Sequence, residues 1–431
     1  MNTNPISHPK NLRLAMAMLL LTSSAGALAQ EIDAPVEKIY SCVRGQTTAS
    51  QAVIIRNTGT SPLQITGLAK TGANTAEFTL VSPPSMPQTI GAGGSLTVNV
   101  NFKPGTLVGA LSAALRITSN DADEGIVNVG LYGLSARAEQ GNNEPTLHNI
   151  CLTLGYKINV GSTNLLLGTG PAPIGQEVIQ PLFVKAGTGV VTMTPVARYS
   201  PDDLLDFGYY TKSGSTPVRV KVATIKLDQE QKLNPLLTTS AAPTFDPGTA
   251  VFGFYAGPAP AYANYNIYSE DSLNKSPVPL PHSVRIYPLR NRAGQPVPNS
   301  YLVCMEPAKN GDYQDYVFVV SNIKPLVANG TYKLTASHSG KALDVPGATL
   351  TNVGLQQWTY TGGQNQRWQV TAVSGGYYKI IAAHSSKALT VPGASTANVR
   401  TEQQTYTGAD NQLWKFEAVG GNSRIVARHS G

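Results

Sequence analysis

The chain has 431 residues, of which only 13% are charged, with 32 Lys and Arg against 25 Asp and Glu, and it carries 41 Gly and 30 Pro. A formal charge of +7 over that length, with no Lys/Arg cluster, argues against nucleic acid as a partner and against binding to an acidic membrane surface. Short Val-, Thr- and Ile-rich runs between Gly/Pro breaks, with no long 3.6-period segment, predict an all-β fold of about two to four domains.

Residues 1–29 read as a signal peptide. Lys10 and Arg13 supply a positive start, Leu14 to Leu21 an apolar run, and Ala27-Leu-Ala29 a small-residue cleavage site. The run is too short for a bilayer, and no later segment approaches the roughly 20 apolar residues a spanning helix needs, so no membrane insertion is expected. The mature chain is expected to be exported, as a periplasmic, cell-surface or secreted protein. Three cysteines remain, Cys42, Cys151 and Cys304. An oxidising compartment permits a disulfide, and Cys151 with Cys304, in one candidate domain, is the expected pair. No CxxC or Cys/His spacing points to zinc.

Residues 30–138 are expected to form a β-sandwich. Gln51-Ala-Val-Ile-Ile-Arg56 is a strand, Asn57 to Pro62 a turn, and Leu63 to Leu68 the returning strand. Alternation in 96–102 places Leu96, Val98, Val100 and Phe102 on one face. Further strands are expected at 111–117 and 127–131, with Asp121 and Asp123 capping the turn between them. The order Arg56-Asn-Thr-Gly-Thr-Ser-Pro-Leu63, Gly94-Ser-Leu-Thr-Val98, Phe102-Lys-Pro104, Ser119-Asn-Asp121 and Leu131-Tyr-Gly133 resembles the immunoglobulin-like ASH/HYDIN-type modules. That resemblance implies a spacer or a surface for a protein partner, without catalysis.

A polar linker, 138–145, leads to a second β-rich unit at 146–325. Phe252-Gly-Phe-Tyr255, Tyr268 to Asn274, His282, and Glu306 ahead of Asn310-Gly-Asp-Tyr-Gln-Asp-Tyr-Val-Phe318 loosely resemble the family DUF4114. Tyr313 and Gln314 stand where that family carries more acids. Glu306, Asp312 and Asp315 are candidate ligands for a hard cation such as Ca²⁺, which needs six or more oxygens. The alternative is a hairpin turn at Asn310-Gly-Asp312 capped by its own acids. Asp202, Asp203 and Asp206 invite a glycosidase reading, but a polar helical or turn segment after Pro201 is the simpler account.

Residues 327–431 contain one segment written twice, at 331–376 and 377–422, with nine residues of a third copy. His338, His384 and His429 recur at 46 and 45 residues, and Trp368 and Trp414 at 46. A repeat of this length is a supersecondary unit that stacks on its own copies. Gln366-Arg-Trp368 and Gln412-Leu-Trp414, with Leu343-Asp-Val-Pro-Gly347 and Gln356-Gln-Trp-Thr-Tyr360, resemble the ricin-B-type lectins, β-trefoils of three repeats. The incomplete third copy is expected to reflect a longer chain. Both repeated tryptophans are expected in the core, and the repeated histidines near turns.

The residues that differ between copies carry the functional expectation. Sugar recognition needs acceptors for hydroxyls, an aromatic face, and amides that fix orientation. Copy one supplies Asp344, Gln356, Trp358, Asn365 and Gln366, which match the lectin binding pattern, with Tyr360 as an additional wall. Copy two has Thr390, Glu402 and Gln404 in place of Asp344, Gln356 and Trp358, and is expected to be silent. The leading expectation is a secreted, non-catalytic carbohydrate-binding protein with glycan as its partner. Alternatives are a glycoside hydrolase or other extracellular enzyme with an appended binding module, and a cell-surface adhesion protein. No Gly-x-Ser-x-Gly, His-Glu-x-x-His, P-loop or GxGxxG motif favours an enzyme.

Overall fold

The computed structural model describes residues 30–178, 181–325, 327, 330–373, 377–419 and 422–431; the expected signal peptide lies outside them. Among the described residues no helix is long and apolar enough to cross a membrane.

The first unit is a two-sheet sandwich. One sheet has the order Ile32–Asp33, Gln51–Asn57, Ser95–Phe102, Phe78–Val81; the other runs Glu37–Val43, Ile126–Ala136, Gly109–Ser119, Leu63–Thr71, Gln88–Ile90. Val98, Val100 and Phe102 are buried and Leu96 packs at their margin, as the alternation requires. Glu37–Val43 lies parallel to Ile126–Ala136, whereas the hairpin-linked strands are antiparallel. Asp121 caps its turn as expected, accepting from the backbone N–H of Asp123 and Glu124, and it also holds Ile32 N at 2.8 Å.

Directly after the polar linker the chain forms a seam between the first two units. Thr146 caps a short helix, Leu147–Leu154, through its hydroxyl, and Gly155 closes it at φ 80°. Leu147, Ile150, Cys151 and Leu154 recur at helical spacing and are all buried. They pack in one core with Leu134 of the sandwich and with Tyr287, Leu302 and Cys304 of the second unit. Arg292 reinforces the seam. It donates to the helix-end carbonyls of Leu152 and Thr153, pairs with Glu37 at 2.8 Å, and lies 3.4 Å from the centre of the Tyr132 ring.

The expected Cys151–Cys304 disulfide does not form: Cys42, Cys151 and Cys304 are free thiols. Cys151 and Cys304 each fill a place in the shared apolar core as a small hydrophobic side chain. Burial pushes the Cys151 thiol up to about 12 and that of Cys304 well above its usual value.

The second unit also packs two sheets face to face. Val191–Arg198, Tyr316–Ser321, Pro296–Met305 and Val284–Arg290 form the body of one, and Thr216–Ile225, Leu205–Ser213, Gly253–Ala256 and Ile267–Tyr268 form the other. Met193, Phe207, Phe252, Phe254 and Phe318 interdigitate between them.

The C-terminal unit is built from repeated hairpins. Trp368–Val373 pairs with Tyr377–Ala382, and Trp414–Val419 with Asn422–Ala427. Trp368 and Trp414 are buried and donate their indole N–H to Leu343 O and Leu389 O, one copy like the other. In each copy a Pro-Gly turn follows the short strand, and Gly347 and Gly393 both sit at φ 60°, a backbone state glycine adopts without strain.

Candidate functional site

In copy one the strands Ala342–Asp344 and Gln356–Trp358 pair so that Asp344 stands opposite Gln356 and Ala342 opposite Trp358. The two-residue period of a strand then puts Gln356 and Trp358 on the same side. Asp344 is buried at 3% exposure. It accepts Gln356 Nε2 on Oδ1 at 2.8 Å and Asn365 Nδ2 on Oδ2 at 2.8 Å. Asn365 also donates to Val345 O at 3.0 Å, which locks its amide. One carboxylate therefore orients two half-buried amides before any ligand arrives.

Beside them Trp358 is 56% exposed. A large indole in water with a fixed polar cluster next to it is a ready platform for the C–H face of a sugar. Tyr360 is 40% exposed, but Lys333 Nζ lies 4.9 Å from its ring centre, so one ring face is taken. The same pairing recurs in copy two between Lys379 and Tyr406 at 5.2 Å, which marks it as scaffold.

Gln366 is bonded within its own loop. It is buried, accepts Thr361 N at 2.7 Å and the Thr361 hydroxyl at 3.2 Å, and donates to Thr359 O at 2.9 Å. Gln412 makes the matching bonds to Thr407 and Thr405 in copy two. This glutamine braces the loop that follows the Trp358 strand.

Copy two lacks the arrangement of copy one. Thr390 is buried, donates to Ala388 O and accepts from Gln412 Nε2. Glu402 accepts its neighbour Gln404 at 3.0 Å, and Asn411 donates only to Val391 O. No carboxylate gathers amides there, and no indole stands above.

Three structural roles lie beyond the sequence reading. A Cβ on Gly363 would come 2.5 Å from Asn365 Oδ1, so glycine leaves room for Asn365; copy two has Ala409 at that place. Gln403 reaches back from copy two to Thr349 O and Thr351 O of copy one. The repeated histidines do the same: His384 meets Thr349 O at 3.1 Å and His429 meets Ser395 O at 3.0 Å, while His338 is exposed. These histidines are joints between successive copies rather than simple turn residues.

In the second unit Glu306, Asp312 and Asp315 come together, with oxygens within 4.8 Å of one another. Glu306 draws the loop around itself, accepting the N–H groups of Ala308, Gly311, Asp312 and Tyr313. Burial, and then the Asp312 charge, push Glu306 up to about 8. Asp202, Asp203 and Asp206 are spent separately, on Asp228 N, Ala261 N and the Thr224 hydroxyl. Asp206 lies on the strand Leu205–Ser213, not in a turn or helix. These three do not form a facing carboxylate pair.

The family described as ricin-type beta-trefoil lectin domain-like matches residues 312–397 and 364–431, and the HYDIN/CFA65/VesB-like, Ig-like domain family matches 38–133. The C-terminal module is thus lectin-like, with the carbohydrate-binding character of that family at a coarse level, and the N-terminal module is immunoglobulin-like. The lectin match begins upstream of the repeats, although strand Tyr316–Ser321 belongs to the second unit's sheet. Neither family shows the DUF4114 likeness expected of the middle unit. Among solved structures, the designed threefold-symmetric protein ThreeFoil is 46% identical, covering 24% of this chain and 76% of that one, with a TM-score of 0.23. A Polyporus squamosus lectin, solved with a human-type influenza-binding epitope, is 17% identical over 24% of this chain and 38% of its own, with a TM-score of 0.22. The ASH/PapD-like domain of human CEP192 is 16% identical over 29% and 97%, with a TM-score of 0.22. No curated protein matches the chain.

Proposed function

We propose that this is an exported, non-catalytic glycan-binding protein that holds its sugar at the first trefoil copy. The observation that carries this reading is the pairing of exposed Trp358 with the pre-oriented Asp344, Gln356 and Asn365, against a second copy with Thr390, Glu402 and Gln404 at the matching positions. Trp358 supplies the stacking face. The Gln356 amide, which gives one of its two N–H groups to Asp344, meets a hydroxyl, and the Asp344 carboxylate keeps both amides fixed. The sandwich and the middle unit, joined through the helical seam, serve as the body on which the lectin module is displayed.

A glycan array with the full chain tests this. Wild type is expected to bind a defined set of glycans, Trp358→Ala to lose them, and Asp344→Asn to weaken them with the thermal unfolding temperature little changed. Retention of the full binding set by folded Trp358→Ala would remove the site assignment.

A further inference from the structure

The middle unit hides an acidic cluster that sugar binding does not use. Glu306, Asp312 and Asp315 are 0%, 1% and 5% exposed. Their described partners are all neutral. Glu306 takes four backbone N–H groups, Asp312 Oδ2 takes the amides of Asn310 and Gln314, and Asp315 Oδ1 takes the Tyr262 hydroxyl at 2.7 Å. Like charges brought together out of water are relieved either by taking up protons or by a compensating positive charge.

A second observation points to what supplies it. Asp312 Oδ1 and Gln314 Oε1 are both buried acceptors with no hydrogen-bond partner. Gln314 is fully buried, and its Nε2 donates to Asp312 Oδ2 at 3.3 Å and to Glu144 Oε2 at 2.9 Å, so its carboxamide belongs to the cluster. Orphaned buried oxygens beside three carboxylates are a donor set that lacks its acceptor of electron pairs. Every atom on offer is oxygen, which suits a hard cation and not zinc or copper.

We propose that the 306–315 loop binds a divalent cation of the Ca²⁺ class through Asp312, Asp315, Glu306 and the Gln314 carbonyl, and that this cation fastens the segment between the first two units. The link to that segment is Glu144, 170 residues from Gln314 in sequence, whose other oxygen accepts Gln231 Nε2 at 2.6 Å. The Gln314 and Asp315 carbonyls also receive Tyr199 N, at 3.3 and 3.2 Å, from the neighbouring strand end. Ordering the loop therefore orders the floor on which the 137–146 segment rests.

The full chain, stripped with EDTA and then given CaCl₂ or MgCl₂, supplies the test. Metal analysis is expected to find one Ca²⁺ per chain. Thermal unfolding is expected to rise by several degrees with a saturating Ca²⁺ dependence, with a smaller effect of Mg²⁺, and proteolysis within 137–146 is expected to slow. Asp312→Asn should lose the Ca²⁺ response, and Gln314→Leu should weaken it if the first variant fails to fold. Asp344→Asn should keep the response, which separates this site from the sugar site. A wild-type chain that binds no Ca²⁺ and unfolds alike in EDTA and CaCl₂ would overturn the proposal, as would an undiminished response in folded Asp312→Asn.

Discussion

The two complete copies of the repeat share a scaffold and differ in what that scaffold presents. In both, a buried tryptophan is tied to a leucine carbonyl, a glutamine braces the loop before it, and an asparagine holds the valine that begins the Val-Pro-Gly turn. Copy one adds a carboxylate that gathers two amides and an indole left in solvent. Copy two fills the carboxylate position with a threonine whose hydroxyl is satisfied within the fold. The proposed sugar site is a few side chains placed on a frame that tolerates their absence. Residues that recur therefore report on the fold, and residues that diverge report on function.

The comparison breaks first if the shared residues are not the frame. Trp368→Ala and Trp414→Ala should each destabilise the lectin module by about 3–5 kcal/mol, because both lose a buried indole and its hydrogen bond. Chemical denaturation followed by Tyr/Trp fluorescence measures this, and a near-neutral Trp368→Ala would show that the copies are not held alike. Next in size, Trp358→Ala should lower glycan affinity roughly 30-fold, about 2 kcal/mol, with little change in unfolding. Gln404→Ala, at the matching place, should leave affinity where it was. Equal losses from both variants in a titration would erase the distinction between copies.

Acid–base sensitivity should fall outside both copies. Burial alone lowers His282, but its contacts with Asp271 at 3.0 Å and Glu177 at 2.9 Å outweigh that and raise it to about 9. Arg285 also bonds Glu177, and the Tyr313 ring packs at 6.5 Å. Because the folded value lies above the unfolded one of about 6.5, the stabilisation is complete below pH ~6.5 and is lost as pH rises through about 9. Melting curves from pH 6 to 10 should show the middle unit of wild type losing on the order of 1–2 kcal/mol that His282→Gln never had. A His282→Gln curve parallel to wild type would refute the assignment.

The smallest expected effect sharpens the comparison most finely. Gly363→Ala should push Asn365 off Asp344 and weaken glycan binding several-fold, on the order of 1 kcal/mol, whereas Ala409→Gly should not create binding in copy two. Unchanged affinity in Gly363→Ala would show that Asn365 takes no part.

Much of this was legible in the chain. Alternation at 96–102 marked a sandwich strand, and the differences between Asp344 and Thr390 and between Trp358 and Gln404 showed where the two copies part. What stayed hidden depends on contacts between distant residues. The role of Gln366 as a brace is visible only once Thr359 and Thr361 fold over it. The helix Leu147–Leu154 spans two turns, too few for its periodicity to stand out, so it was absorbed into a unit read as β-rich throughout. Glu144 and Gln314 carry no local signal that they meet.

The central claim is one sugar site, in copy one, and its most direct test is the stoichiometry of binding. Native mass spectrometry of the 431-residue chain, at a concentration near the wild-type Kd of a glycan identified on the array, should show at most one glycan bound in wild type and occupancy close to zero in Trp358→Ala. Two glycans bound to wild type, or one still bound to folded Trp358→Ala, would contradict the account.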